Sequence, residues 1–306
     1  AVNNVFRGKF RYQCLPVMFD LWADGFENVV FEEFGAGAMG LHLETMAERR
    51  KLFRDSKYRR KFNRQWNNPL IPKVFHRNFA MATVEQCPDE TLDGKTFREI
   101  AEIQGKSEVD AFLDLLIDYG NDLRWHTIMG NDRPKPLATL ISSDTSLLGF
   151  SDAGAHLRNM AYYNFPLRML KFVKDAADQG QPVMPLEKAI HKLTGEIGEW
   201  FQVDAGTLEP GSRADVVVVD PEHLDQRVEE MHEAPIPELG DYVRLVRRNP
   251  DAVPAVLVNG VLVAEQGEVL PEIGKTRGAG QFLRATSSNA PTALEPAAPP
   301  LLEAAE

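Results

Sequence analysis

The stretch SLLGFSDAGAH, residues 146–156, places a carboxylate where a short apolar run ends. The segment 146–152 predicts a strand, and small residues and a histidine follow Asp152. Gly149 and Gly154 let the backbone turn tightly and leave room for a ligand. An aspartate at a strand end is either a turn or helix-capping residue, which accepts hydrogen bonds from backbone N–H groups, or a catalytic group. This stretch by itself leaves both interpretations open.

The segments around this stretch predict a parallel α/β arrangement. LRWHTIM (123–129) has the pattern of a strand, PLATLIS (136–142) of a helix, and FPLRMLKFVKDAADQG (165–180) of a further helix. Strands and helices that alternate with short connections are typical of parallel sheets. In a barrel of this kind the active-site groups project from the carboxyl ends of the strands, which is where Asp152 stands.

Helical patterns dominate the part of the chain before these strands. Residues 95–120 predict two helices, around 97–103 and from Ser107 to Tyr119, with Ser107 as the cap of the second. Residues 48–66 predict one amphipathic helix with a basic solvated face; binding of an anionic substrate or partner is the alternative. The apolar stripe of this helix consists of Phe53, Tyr58, Phe62 and Trp66.

The last third of the chain changes to β patterns. ADVVVVDP (214–221) predicts a compact, mostly β-branched strand, and AVLVNGVLVAEQGEVL (255–270) predicts two strands joined by a tight Asn259-Gly260 turn. We place a boundary near Asp204. The predicted organisation is a barrel portion over 1–204, a small β-sandwich over 205–285 and a disordered tail rich in Ala and Pro over 286–306.

The net charge, the cysteine content and the lack of long apolar runs exclude several classes of protein. The chain has 306 residues and a formal net charge of −11, which argues against nucleic acid as a partner. Its two cysteines, Cys14 and Cys87, do not suggest a disulfide framework, and no signal peptide or apolar run of membrane-spanning length is present. We therefore expect a cytoplasmic protein. Because it opens at Ala1 without an initiator methionine, we also expect a piece of a longer protein.

Several motifs, taken in order, resemble the amidohydrolase superfamily, in particular its N-acyl-D-amino-acid deacylase (D-aminoacylase) branch. LLGFSDAGAH is similar to the segment of the eighth barrel strand, and FPLRML to the helix start after it. PLEKAIHKLTGEIGEWFQV (185–203) resembles the helix pair that follows. AGTLEPGSRADVVVVDP (205–221) and the 255–268 hairpin are similar to the return of the chain into the β-sandwich, and RGAGQFLRA (277–285) to its closing segment.

The resemblance implies a metal-dependent hydrolase built on a (β/α)8 TIM-like barrel with a small β-sandwich. One or two divalent ions, usually Zn²⁺, bind at the barrel mouth in this family. Asp152 maps to the strand-eight aspartate, which binds or faces the metal and accepts the proton of the attacking water. The family's His-x-His motif is absent from the chain. We therefore expect most metal ligands upstream of Ala1, and we expect the chain to begin after strand six.

Three further residues are predicted substrate contacts. His156 follows Asp152 by four positions, with helix capping as the alternative. Arg158 offers the planar fork that a substrate carboxylate needs, with a surface charge as the alternative, since the loop lacks the HPR-like segment of typical D-aminoacylases. Asn131 follows the segment taken as strand seven, with a turn role as the alternative. His126 in that segment is a weaker pocket candidate, and residues 15–66 are expected to form an insertion between strands six and seven.

The predicted function is hydrolysis of the amide bond of an N-acyl amino acid by a zinc enzyme, of which this chain is the C-terminal part. One alternative is an amidohydrolase acting on another linear or cyclic amide. The other is a non-catalytic fragment or pseudo-enzyme subunit that needs a partner for the missing metal ligands. The predicted partners are a small-molecule substrate and, in a homo-oligomer, further copies of the chain, with neither nucleic acid nor membrane.

Overall fold

The structure, a computed structural model, describes residues 10–151, 154–275 and 278–285. Within these ranges the chain is mixed α/β. The helices are α1 (Gly35–Leu41), α2 (Met46–Arg54), α3 (Ser56–Trp66), α4 (Phe97–Gln104), α5 (Glu108–Asp118), α6 (Pro134–Ser142), α7 (Phe165–Asp178), α8 (Leu186–Leu193) and α9 (Gly195–Phe201). The strands are β1 (Tyr12–Cys14), β2 (Phe19–Asp24), β3 (Ala82–Gln86), β4 (Arg124–Gly130), β5 (Ser146–Leu148), β6 (Val216–Val218), β7 (His232–Ile236), β8 (Tyr242–Val246), β9 (Ala255–Val258), β10 (Val261–Glu265) and β11 (Glu268–Val269).

A parallel pair of short strands joins two distant parts of the chain. β1 lies beside β5 with Tyr12 opposite Ser146 and Cys14 opposite Leu148. The two strands run in the same direction, so their carboxyl ends meet at one edge, immediately before the GFSDAGAH stretch. The strand predicted over 146–152 ends at Leu148, because Gly149 and Phe150 leave the extended ladder.

The predicted strand 123–129 exists as β4, but its assignment as the neighbour of β5 in a parallel sheet is wrong. β4 is the central strand of a three-stranded sheet in the order β2-β4-β3 and pairs antiparallel with both neighbours. The strand beside β5 is β1 instead. The chain between these two parallel strands, residues 19–130, therefore forms a unit inserted after β1, which differs from the predicted insertion ahead of the 123–129 strand.

An aromatic core holds the inserted unit together. One face of the β2-β4-β3 sheet contributes Leu21, Ala82, Val84 and Trp125 to a buried cluster against the helices α1–α5. The ring of Phe112 lies within ring-packing distance of the rings of Phe26, Phe31, Phe79, Phe97 and Trp125. Burial of such large side chains is the main stabilising contribution available to a unit of this size.

The basic segment 48–66 forms two helices where the sequence predicted one. Asp55 ends α2 in an extended conformation and caps α3, since its carboxylate accepts a hydrogen bond from the Tyr58 backbone N–H at 2.7 Å. The break does not disturb the apolar stripe: all four predicted aromatic side chains of this segment are buried in the aromatic core. Arg59 pairs with Asp110 and Asp114 of α5, so part of the basic face contacts the unit itself.

The helices α4 and α5 confirm the prediction for residues 95–120. Ser107 caps α5 by accepting a hydrogen bond from the Asp110 N–H. Thr96 and Glu99 form a reciprocal capping box at the start of α4, in which each side chain bonds the other residue's backbone N–H.

A second, mostly aliphatic core surrounds the parallel pair. It combines Leu15 and Leu148 next to the strands with side chains of α6, α7 and α8, and with Leu224 and Val228 from the segment after β6. Lys192 is buried at the base of this region. Its ammonium group donates to the Ser143 and Ser146 carbonyls at 3.0 and 3.2 Å and to the Glu196 carboxylate at 3.1 Å.

The last described part of the chain forms a four-stranded antiparallel sheet in the order β11-β10-β9-β6 and a separate β7-β8 hairpin. Asn259 and Gly260 connect β9 to β10 with φ angles of 50° and 81°, as the tight turn requires, so the predicted hairpin is confirmed. The sheets of the described residues establish the α/β class. A closed barrel, a sandwich and the boundary near Asp204 stay predictions, and the 286–306 tail lies outside the described residues.

Candidate functional site

The candidate site begins where β1 and β5 end together. The Gly149 N–H donates to the Cys14 carbonyl at 3.3 Å, and the Gln13 side chain donates to the Gly149 carbonyl. Phe150 is 45% exposed beyond them. Asp152, the predicted catalytic and metal-binding residue, lies outside the described residues together with Ala153. Its role stays a prediction, and the structure fixes the chain on both sides of it.

His156 lies on the wall of a cleft in the structure. Its backbone adopts a left-handed φ of 50°, and its carbonyl accepts hydrogen bonds from the Asn159 and Met160 N–H groups at 2.7 and 3.0 Å. The alternative of a cap for the next helix is wrong, because α7 begins at Phe165 after Asn164. The cleft has a volume of about 430 Å³, and its wall includes Phe19, Leu21, Val30, Val74, Met129 and Met160 with Glu32 and Glu33.

Arg158, predicted to bind a substrate carboxylate, is engaged by two carboxylates of the chain. Its Nε lies 2.7 Å from Asp24 Oδ2, and its Nη1 lies 2.6 Å from Glu233 Oε1. Partial burial lowers the pKa of Arg158, but its hydrogen bonds to the Asp24 and Glu233 carboxylates raise that pKa by more, so the guanidinium stays charged. Arg124 of β4 also pairs with both carboxylates. This network attaches the 156–160 segment to β2 and to the β7-β8 hairpin.

Asn131, the third predicted substrate contact, connects β4 to the chain after β1. Its φ is 58°, and its side-chain amide donates to the Leu15 and Val17 carbonyls at 3.0 and 3.1 Å. This geometry agrees with a turn residue that holds the inserted unit against the parallel pair. Donation to a substrate by the same NH2 group would require it to leave one of these carbonyls.

A buried charged cluster, which the sequence analysis did not find, lies on the other face of the β2-β4-β3 sheet. Asp20 is 4% exposed, and its Oδ2 lies 3.3 Å from Nε2 of His126 on the neighbouring strand. Arg168 of α7 and Arg247 after β8 approach its carboxylate at 3.9 and 3.8 Å. We call Asp20, His126, Arg168 and Arg247 the Asp20 cluster.

The Asp20 carboxylate is held in its charged form by these neighbours. Burial raises the pKa of Asp20, but the hydrogen bond with His126 and the positive charges of Arg168 and Arg247 bring it below its usual value. One signal in the sequence could have pointed to this residue. In MFDLWAD (18–24) the aspartate interrupts an apolar strand on the face opposite to Leu21, where a buried carboxylate needs partners from other segments.

The described residues do not by themselves fit a metal ion. No group of three or more His, Cys, Asp or Glu side chains is arranged to hold one within 10–151, 154–275 and 278–285. Over the same ranges, none of the helices has the length and apolarity that crossing a bilayer requires.

The chain has close relatives of about twice its length. It is 45% identical over 291 residues to the uncharacterised proteins Rv2913c of Mycobacterium tuberculosis and Mb2937c of Mycobacterium bovis. The match covers 93% of this chain and 48% of each relative. The chain therefore spans about half the length of the curated relatives it matches. No family model matches the sequence.

Solved structures similar to the chain come from the group that the sequence motifs resemble. They include a D-aminoacylase, with 22% identity and a TM-score of 0.38 over 66% of this chain and 37% of that one. Another is the N-acyl-D-glutamate deacylase of Bordetella bronchiseptica, solved with zinc and a phosphonate inhibitor, with 22% identity and a TM-score of 0.36 over 62% of this chain and 36% of that one.

Proposed function

We propose that this chain is the C-terminal part of a metal-dependent amidohydrolase that hydrolyses the amide bond of an N-acyl amino acid, in the manner of the D-aminoacylase branch. The observation that carries the proposal is the position of the GFSDAGAH stretch. It leaves β5 at the edge where the carboxyl ends of the parallel strands β1 and β5 meet. In parallel α/β folds this edge carries the reacting groups.

The order of the remaining motifs supports the same proposal. The strand in ADVVVVDP is β6, which pairs with β9, the first strand of the Asn259-Gly260 hairpin. Two motifs that are far apart in the sequence thus lie side by side in one sheet. The helices α8 and α9 occupy the place of the helix pair between β5 and this sheet.

Within the proposed reaction, Asp152 accepts the proton of the attacking water and returns it to the leaving nitrogen. His156 is the proposed substrate contact, because its side chain lines the cleft beside the segment that follows Asp152. Arg158 and Asn131 do not line the His156 cleft. To donate to a substrate, Arg158 would have to exchange its carboxylate partners and the Asn131 NH2 group its carbonyl partners. One or two zinc ions would be held by residues outside the described ranges and would supply an activated water.

The proposal is tested by measuring hydrolysis of N-acetyl-D- and N-acetyl-L-amino acids and the zinc content, for the chain alone and for a longer protein that contains it. We expect Asp152→Asn to lower kcat/KM at least ~100-fold, the range of general acid–base catalysis. Asp144→Asn removes a carboxylate that is 91% exposed, close to the same strand, and is the matched control.

Three results would contradict the proposal in different ways. Full activity of Asp152→Asn would remove this residue from the reaction. Activity that persists after chelation of metal would remove zinc from the proposal. Hydrolysis of cyclic amides but not of N-acyl amino acids would keep the amidohydrolase class and replace the substrate.

A further inference from the structure

The Asp20 cluster opens into a second cleft, which is separate from the one that His156 lines. The two clefts have no wall residue in common, since Phe19 and Leu21 line the first, whereas Asp20 and Trp22 line the second. Successive side chains of a strand point to opposite faces, so β2 separates the clefts. The second cleft has a volume of about 480 Å³.

Two buried charged atoms of opposite sign in this cleft have no hydrogen-bond partner among the described residues. They are Oδ1 of Asp20 and Nη1 of Arg168, on side chains that are 5% and 2% exposed. Nη2 of the same guanidinium lies 3.9 Å from Asp20 Oδ1, too far for a direct hydrogen bond. Both groups have partners through their other atoms, since Asp20 Oδ2 lies beside His126 and Arg168 Nε donates to the Glu229 carboxylate on the same wall. An unsatisfied atom on a buried charged group is costly and calls for a further partner such as a water, an ion or a ligand.

The rest of the wall offers further charges and an apolar surface. Lys171 lies one turn after Arg168 on α7, and Glu85 and Asp132 contribute carboxylates. The apolar part of the wall comes from Val17, Leu137 and Phe172. A ligand that satisfies both unpaired atoms needs an acceptor for the guanidinium, a donor for the carboxylate and an apolar group for the rest of the wall.

We propose that this cleft binds a free amino acid with an apolar side chain, as the zwitterion. Its carboxylate bonds Arg168 and is attracted by Lys171, and its ammonium group bonds Asp20. Charge-assisted hydrogen bonds of this kind are the strongest available to a small polar ligand. The proposal does not rest on the proposed hydrolysis, although Asn131, a predicted substrate contact, lines this cleft. The proposed hydrolysis would release a free amino acid. This cleft, on the opposite face of the sheet from the His156 cleft, would then bind the same class of molecule as that product.

Titration calorimetry with leucine as the probe tests the proposal on the 306-residue chain. 3-Methylbutylamine lacks the carboxylate of leucine, and 4-methylpentanoate lacks the amine. We expect leucine to bind and each analogue to bind at least about tenfold more weakly, because each leaves one buried charge unpaired. Leucine that binds no better than either analogue, or that does not bind at millimolar concentration, overturns the proposal.

Variants on α7 locate the binding. Lys171→Gln is expected to weaken leucine binding several-fold, with Lys174→Gln as the matched control. Both lysines form i,i+4 ion pairs on the same helix, with Asp175 and Asp178, but only Lys171 lines the cleft. Equal weakening by the two variants contradicts the site. Loss of binding in Asp152→Asn, with Lys171→Gln unaffected, would place the amino acid at the predicted catalytic residue instead, whether or not hydrolysis is observed.

Discussion

The inserted unit and the region around the parallel pair are stabilised by different interactions. The core of the inserted unit, residues 19–130, consists mainly of aromatic rings that pack against one another, together with aliphatic side chains. The parallel pair is surrounded by aliphatic side chains and stands on a buried cation, Lys192, whose hydrogen bonds fix the start of β5. The stability of the inserted unit depends on close packing of its core. The stability of the region around the parallel pair depends in addition on the ion pair and hydrogen bonds of Lys192.

The two regions also depend on each other through the chain. β1 and β5 pair across an intervening segment of more than a hundred residues, and bringing the ends of such a long segment together costs conformational entropy. The inserted unit offsets this cost, because Asn131 at the end of β4 bonds the carbonyls that directly follow β1. A folded insertion thus places the two strands that flank the candidate site.

The largest effect is expected from a cavity in the aromatic core. Phe112→Ala should lower the free energy of unfolding by about 3–5 kcal/mol, because the ring is fully buried among other rings. Urea denaturation followed by circular dichroism measures the change. Ile103→Ala, on the neighbouring helix and 69% exposed, should stay within about 0.5 kcal/mol of the unchanged protein. A loss below about 1 kcal/mol for Phe112→Ala would show that the unit does not depend on filled volume.

A somewhat smaller effect is expected from the charge beneath the parallel pair. Lys192→Met should cost about 3 kcal/mol, since it leaves the Glu196 carboxylate and the Ser143 and Ser146 carbonyls without their buried donor. Lys188→Met on the same helix removes an exposed ammonium group that is 3.7 Å from Asp144, so it is the matched control. If both variants are equally stable in urea, charge pairing does not distinguish the two regions.

The smallest effect is expected in acid and comes from Asp20. Because the folded pKa of Asp20 is lowered, its ionised form stabilises the fold above the unfolded value of about 3.9, and this contribution is lost as the pH falls through the folded pKa. The difference in unfolding free energy between the unchanged protein and Asp20→Asn should therefore be full at pH 6 and should shrink below about pH 4. A difference that stays constant down to pH 2 would contradict the role of the Asp20 charge.

Local features of the fold were predictable from the sequence, and long-range partners were not. The cap at Ser107, the Asn259-Gly260 turn and the buried stripe from Phe53 to Trp66 each depend on neighbouring residues, and each is confirmed. The predicted sheet position of β4 was wrong. Two strands that pair can be far apart in the sequence, and neither segment alone indicates which strand is its partner. The break at Asp55 was missed since both helices keep the same apolar face.

The candidate site shows the same division. The sequence predicted that GFSDAGAH follows a strand. The carboxylates that bind Arg158 come from β2 and β7, which are distant from it in the sequence, so these ion pairs could not be predicted. The Asp20 cluster combines side chains of β2, β4, α7 and the chain after β8. Its members are individually ordinary in the sequence and become a group only when these elements meet.

The alternation along β2 also determines how the protein can be altered. Substitutions at Asp20 and Trp22 change one cleft, while those at Phe19 and Leu21 change the other, so the two binding surfaces can be varied separately by mutagenesis. Insertion or deletion of a single residue in this strand would exchange the two sets, sending an aspartate into the aromatic core and a leucine into the charged cleft. A change of residue type in β2 therefore alters one cleft, whereas a change of length alters both clefts at once.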